Sequence, residues 1–393
     1  LFWICVFIQG ARLRRELGPF LDPIKAMRLG GVGVGLALLF AQAAALKLSP
    51  ISVAHAETHA LPPVAHVDLH AHPSRPAVAP ILKALVPHWV EQAGAFRCEE
   101  LSGGLTNVVI RAKPQPGSEC ESLLIRIFGE NTERVLDRGM ELQTLQTLAD
   151  SNMTAVFGTF NNGRVERYAP GRVLDVEEMR EPQLAGKIAR ALARLHAVDV
   201  PGHTREPSLW PMLDRWLDLA LADNSALPLG LDEAKVRRAI ADLRSRIEEL
   251  DPSVGFAHND ASALNLIYDE SDSRLTLIDF EYARYNYRAF DLANHLFEYA
   301  GSGPIRRELL PNEDEQMAFL SEYVRATASG SEDGHHHGQK KVRALYEEVQ
   351  AFYTASHLFW GLWALVRSAE PGAVDEFDYL AYAEERLEMA FAP

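Results

Sequence analysis

The stretch from Phe256 to Glu298, FAHNDASALNLIYDESDSRLTLIDFEYARYNYRAFDLANHLFE, constrains the fold more than any other. It opens on His258-Asn259-Asp260, reaches Asn265, and runs through an apolar strand (Leu275, Leu277, Ile278) that ends on Asp279. An acid at a strand end is common, and His-Asn-Asp is also an ordinary turn. Two carboxylates and an amide in this one stretch are hard oxygen donors of the kind Mg²⁺ prefers.

The pattern resembles the catalytic loop of protein-kinase-like phosphotransferases, with HND in place of HRD and the same step from Asp to Asn. Phosphoryl transfer needs a carboxylate near the attacking hydroxyl and metal ligands near the phosphates. The resemblance therefore implies that His258 and Asp260 are the catalytic residues, and that Asn265 and Asp279 hold Mg²⁺. IDFEYARYNYRAFDLANHLFE resembles the signature of the choline/ethanolamine kinases, which share a fold with aminoglycoside phosphotransferases. The similarity runs from about Pro62 to the C-terminus and includes SGGLTN (Ser102–Asn107), TFNNG (Thr159–Gly163) and SHLFWGLWALVRS (Ser356–Ser368).

That family implies an α+β, protein-kinase-like bilobal fold with a small β-rich N-lobe and a large helical C-lobe. We expect an N-terminal extension over residues 1–60, a linker and entry helix over 61–95, the nucleotide-binding lobe over 96–170 and the C-lobe over 171–393. The implied activity is ATP-dependent phosphorylation of ethanolamine to phosphoethanolamine, the first step of the CDP-ethanolamine route to phosphatidylethanolamine. Choline as substrate, and a catalytically silent nucleotide-binding relative, are the alternatives.

Composition excludes little. The chain has 393 residues, 47% hydrophobic and 24% charged, ordinary for a soluble globular protein. Its formal charge is −15, and no basic stripe marks a nucleic-acid surface. Cys5, Cys98 and Cys120 are too scattered for a disulfide framework or a zinc site.

Residues 1–60 differ from the rest. LFWICVFI is followed by a basic cluster, and a second apolar run spans Leu29 to Leu46, near the lower limit for a membrane span. Ala54-His55-Ala56 has the form of a signal-peptide cleavage site. A membrane or targeting segment, a cleaved signal, and sequence foreign to the mature protein all fit. The enzyme is expected in the cytoplasm, where ATP is, with membrane association through residues 29–46 as the alternative.

Leu61 to Ser74 reads as a linker or an entry strand, and Ala79 to Trp89 as a short helix stopped or kinked near Pro87. Two β-rich runs, Phe96–Leu101 and Val108–Lys113, flank SGGLTN. Paired glycines let backbone N–H groups approach an anion, although the same letters also make a plain hairpin turn. Arg126 interrupts the apolar strand SLLIRIFG. By resemblance, Gly103, Gly104, Thr106 and Asn107 cover the phosphates and Arg126 holds them, able to pair bidentately. Glu141, on a helix expected over Thr132–Asp150, is the expected ion-pair partner of Arg126. Arg167 and Tyr168, in the connection from Glu166 to Ala169, are expected to meet adenine.

The large lobe reads as mainly helical, with His196 a structural residue. Ala261-Ser262-Ala263-Leu264 is smaller than the relatives carry, which either widens the substrate pocket or is compensated nearby. Asp291 is expected to tie the catalytic loop together. Ala326 to Lys340, with His335, His336 and His337, reads as a solvated loop. Trp360 and Trp363 share a helix face, which by itself says core. The resemblance assigns them, with Tyr282, Glu298 and Tyr382, to the pocket for the substrate's ammonium, where aromatic faces and a carboxylate attract a cation.

Overall fold

The computed structural model describes residues 64–65, 69, 75–101, 107–129, 137–150, 153–222, 227–301, 305–328, 335–369 and 377–392. The chain divides into two units, residues 1–61 and 62–393, and all described residues lie in the second. The expectations for residues 1–60, including the run 29–46, fall outside the described residues. Among the described residues no helix is long and apolar enough to cross a membrane.

The first half builds one mixed sheet with helices against it. Strand β1 (Val64–Ala65) pairs parallel with β5 (Val156–Phe160). Residues 61–74 thus contribute an entry strand rather than only a linker. The TFNNG motif explains part of this. Asn162 accepts from Leu69 N (2.9 Å) and donates to Leu69 O (2.7 Å), imitating a ladder pair. The predicted helix is broken where Pro87 suggested: α1 (Arg75–Leu85) ends, and α2 (Pro87–Ala93) starts with Pro in its first turn, where a missing N–H costs nothing. Strands β2 (Phe96–Leu101), β3 (Asn107–Pro114), β4 (Leu123–Phe128) and β6 (Gly163–Arg167) complete a sheet of order β1-β5-β6-β4-β3-β2. Ile81, Leu82, Ile110, Ile125 and Val165 fill the core under it. Helix α3 (Arg138–Asp150) follows, and its Leu145 and Leu148 join the larger core of the second half rather than the one under the sheet.

The chain leaves the sheet through β7 (Arg172–Val173), which pairs antiparallel with β9 (Leu266–Asp269). Gly171, at φ +120°, makes that crossing: a Cβ there would lie 2.5 Å from the Tyr268 carbonyl oxygen. No side chain fits.

The second half is mainly helical: α4 (Pro182–His196), α5 (Leu209–Ala222) and α6 (Glu233–Glu248) come first. Then β8 (Val254–Ala257), β9 (Leu266–Asp269), β10 (Arg274–Leu277) and β11 (Arg284–Tyr287) form two small antiparallel ladders, β10-β9-β7 and β11-β8. Helices α7 (Arg288–Phe297), α8 (Glu313–Thr327), α9 (His335–Ser368) and α10 (Tyr379–Phe391) close the lobe. The loop expected over 326–340 is therefore short: His335 already begins the 34-residue helix α9. A separate, larger core holds this lobe, centred on Trp216, Phe290, Phe352 and Phe359. The result is the protein-kinase-like fold, a small sheet-based lobe above a helical one.

Candidate functional site

The catalytic stretch lies where these two cores face each other. Asp291, fully buried on α7, receives the backbone N–H groups of His258 (2.9 Å) and Asn259 (2.7 Å). His196 at the end of α4 bonds the same carboxylate (2.9 Å) and Tyr323 (2.7 Å). Asp291 thus ties the loop together as expected, and its carboxyl stays below the ordinary range because the His196 bond and charge outweigh burial. Asn259 takes a left-handed conformation (φ 64°) that turns the chain toward Asp260. It is held by donating to Tyr282 O (2.9 Å) and accepting from Asn286 (2.8 Å).

His258 does not join Asp260 at the chemistry. It is fully buried, its Nε2 bonds the Ile278 carbonyl (2.9 Å), and burial lowers its pKa. A neutral imidazole locked to the strand before Asp279 is a brace. Asp260 follows the left-handed Asn259 and meets Asn265 instead.

Asn265 ends a single 3₁₀ turn (Ala263–Asn265) and donates to both Asp260 O (2.8 Å) and Asp260 Oδ2 (2.9 Å). The Asp260 carboxyl is pushed well above its ordinary value, first by burial, then by the charges of Glu298, Asp279 and Glu281. Ala261 and Ala263 are packed away, Ala261 under His295, whose Nδ1 bonds the Ala261 carbonyl (2.7 Å). Their small size is compensated in the core. Leu264 is 47% exposed and lines the cavity described below.

Asp279 sits in the left-handed region (φ 64°), a strained conformation for a non-glycine residue that concentrates at functional sites. Its Oδ2 accepts from Arg126 (3.0 Å), and its buried Oδ1 has no hydrogen-bond partner among the described residues. Arg126 does not pair with Glu141. Its Nε goes to Glu166 (3.0 Å), while Glu141 takes Arg164 and Arg138 (2.8 Å each). The reason is register: Arg126 on β4 lies directly opposite Arg164 on β6. Glu166 reconciles the like charges by accepting from both, with Arg164 Nε at 3.1 Å. Burial opposes the charged state of Arg126, but Asp279 and Glu166 outweigh it and raise its pKa. Glu141 falls to about 2, Arg164 and Arg138 overcoming burial.

Glu281, two residues past Asp279, was not singled out from the sequence. Its carboxylate, with those of Glu141 and Asp279, forms a set whose oxygens lie within 4.8 Å of one another. Burial and the neighbouring Asp279 raise Glu281 to about 7. Asn107 donates to Glu281 (3.3 Å) and accepts from Arg138 (3.3 Å), so the end of the glycine segment is fastened to this acidic set. Gly103, Gly104 and Thr106 lie outside the described residues. An acid amid apolar and aromatic neighbours was the signal that could have flagged Glu281.

Beside this set a cavity of about 410 Å³ opens between the lobes. Leu101, Val109 and Leu124 form its roof, Ile267 and Ile278 its floor, and Arg126, Asn265 and Asp279 its inner end. Arg167 and Tyr168 line the hinge side, the Tyr168 ring covered by Arg111 at 4.1 Å.

On the other side of Asp260 is an aromatic cluster. Trp360 packs edge-on to Tyr282 (5.5 Å) and Trp363 (5.3 Å), and Trp363 Nε1 donates to the Tyr282 hydroxyl (2.8 Å). Tyr382 and Glu298 are buried with them. The Tyr382 hydroxyl is raised, first by burial and then by the charges of Glu298 and Asp260, which together outweigh Arg386. Aromatic faces and carboxylates are groups that attract a cation. Asn265, Asp279 and Glu281 supply hard oxygens that fit Mg²⁺, one of them an unpartnered buried carboxylate atom.

Sequence comparison agrees with this geometry. The family model for choline/ethanolamine kinase matches residues 98–391. Ethanolamine kinase 2 of Mus musculus is 33% identical over 320 residues, covering 80% of each chain. A probable ethanolamine kinase of Arabidopsis thaliana is 33% identical over 316 residues, 78% of this chain and 82% of the relative. Among solved structures, a Plasmodium vivax ethanolamine kinase superposes with a TM-score of 0.69 at 25% identity, covering 80% of this chain and 86% of that one. With the fold, the motifs and the relatives all in agreement, this chain belongs to the choline/ethanolamine kinase family.

Proposed function

We propose that this protein transfers the γ-phosphoryl group of ATP to the hydroxyl of ethanolamine, in the cytoplasm, with Mg²⁺. The observation that carries the reading is the position of Asp260 between the inter-lobe cavity and the aromatic–acid wall. Nucleotide occupies the cavity between the small lobe (residues 96–170) and the large lobe (171–393). Its base lies against Arg167 and Tyr168, and its phosphates point to Arg126 and the segment ending at Asn107. Arg126 exchanges Asp279 for phosphate oxygens when nucleotide enters. Asn265, Asp279 and Glu281 would hold Mg²⁺, which would supply charge neutralisation at the phosphates. The ammonium rests against Tyr282, Trp360, Trp363 and Tyr382, with Glu298 as counter-charge.

Asp260 orients the substrate hydroxyl and takes its proton. A carboxyl raised by burial is better matched to that task than an ordinary one. His258 holds the strand that delivers Asp279. The Glu298 carboxylate at the wall favours ethanolamine, whose ammonium has three N–H donors to satisfy. Choline has none and draws only on the rings.

The test is a coupled ADP-release assay of the full chain with Mg·ATP and either alcohol. A higher kcat/KM for ethanolamine is expected. A higher value for choline overturns the substrate, and no turnover of either by folded protein overturns the activity.

A further inference from the structure

Ethanolamine is short, with two carbons between its nitrogen and its oxygen. If the ammonium is held by one wall and the hydroxyl by Asp260, the spacing of the two must be fixed closely. A misplacement of about 1 Å costs roughly a hundredfold in rate. The two indoles of the aromatic wall and the catalytic loop belong to different elements, α9 and the turn after β8. Something must hold them in step.

One side chain touches both. Asn294, on α7, is fully buried, and its Nδ2 donates to the carbonyl of Asn259 (2.8 Å), the peptide group that carries Asp260. Its Oδ1 accepts from Trp360 Nε1 (2.7 Å) and from Ser356 Oγ (2.8 Å). Each of these partners is buried, and the geometry leaves the amide one orientation. Reversing it would set Nδ2 against the indole N–H and Oδ1 against a carbonyl oxygen.

The far end is fixed as well. Arg386 on α10 is 1% exposed and donates to Ser356 O (3.0 Å) and Oγ (2.8 Å). Its guanidinium stacks over Phe297 (4.3 Å) and lies 5.6 Å from the Tyr382 ring. Because Arg386 can only donate, the Ser356 hydroxyl must accept from it and direct its own proton to Asn294. The chain of bonds therefore has a single polarity from α10 to the catalytic loop.

We infer that Asn294, oriented by Ser356 and Arg386, is a positioning residue that sets the distance between the ammonium-binding wall and Asp260, and so the length of amino alcohol the enzyme accepts. This rests on the amino-alcohol reading above. Asn294 touches neither substrate; it acts through Trp360 and the Asn259–Asp260 peptide.

The test compares ethanolamine with 3-amino-1-propanol, one carbon longer, using full-length protein. Ser356→Ala removes one link and leaves Arg386 its bond to the Ser356 carbonyl and Asn294 its bond to Trp360, so the fold is kept. Asn294→Ser removes the link altogether. In the variants the kcat/KM preference for ethanolamine falls by about fivefold or more, while the KM for ATP stays within about twofold. A merely structural role would lower activity on both alcohols in parallel and leave their ratio unchanged. That result in folded Ser356→Ala overturns the proposal, as does full activity with an unchanged ratio. Wild-type protein silent on both alcohols overturns the underlying reading instead, and the same plate shows which has failed.

Discussion

Two buried polar layers meet at Asp279, and they are built on opposite principles. Above it, three guanidinium groups (Arg126, Arg138, Arg164) face four carboxylates (Glu141, Glu166, Asp279, Glu281). Below it, neutral amides and backbone groups dominate: Asn259, Asn286 and Asn294, with the Asp291 carboxylate holding the loop's N–H groups. Charges act at a distance and tolerate exchange of partners. Neutral hydrogen bonds depend on close, directed contact and do not. The upper layer suits a site that must trade protein carboxylates for phosphates, and the lower suits a loop that must not move.

The sharpest way to separate the layers is to alter one residue of the chemistry and one of its support. Asp260→Asn should cut kcat by about a thousandfold, within the range for loss of a general base, with the nucleotide-induced thermal shift intact. Asp291→Asn should instead destabilise the protein by roughly 3 kcal/mol, since it presents an amide to N–H groups that need a carboxylate. Urea unfolding reads the difference; equal stability of the two variants would erase the distinction.

The upper layer should couple strongly. Removing Arg164 alone takes one of two partners from Glu141 and from Glu166, leaving Arg138 and Arg126, whereas Arg164→Met with Glu141→Gln relieves part of the mismatch. A double-mutant cycle is expected to give about 1–3 kcal/mol of interaction. Independence of the two sites would mean the cluster is a set of separate pairs.

A smaller effect tests the neutral layer with acid. Burial drives His295 down to about 4 and His357 to about 2. Both are therefore neutral in the folded protein, while unfolded histidine takes up a proton near pH 6.5. Below that value the unfolded state binds more protons, and stability falls as pH falls until the folded values are passed. For His295 alone the loss at pH 5 is roughly 2 kcal/mol relative to neutral pH. Unfolding free energies that match at pH 7 and pH 5 would contradict it.

The sequence made the loop legible because its chemistry is local. Asp260, Asn265, Asp279 and Asp291 lie in one stretch whose spacing is dictated by what it must hold. The partners of Arg126 were hidden because they depend on strand register. Only pairing β4 with β6 puts Arg126 opposite Arg164, and only then does Glu166 become the bridge and Glu141 the partner of Arg164 and Arg138. His258 was misplaced for a related reason: a motif gives order along the chain, not which way each side chain turns at a residue of positive φ. Asn294 carried no signal at all, since its meaning lies in three contacts from two distant segments.

The short strand β1 carries a practical consequence for shortening the protein. It covers the outer edge of β5, and the Leu69–Asn162 pair fastens the chain that follows it. A truncation that begins at helix α1 would leave β5 as a bare sheet edge, its unpaired amides free to recruit a strand from another molecule. Such a protein would keep every residue of the chemistry and still be lost from solution. One that begins at residue 62 retains its own cover.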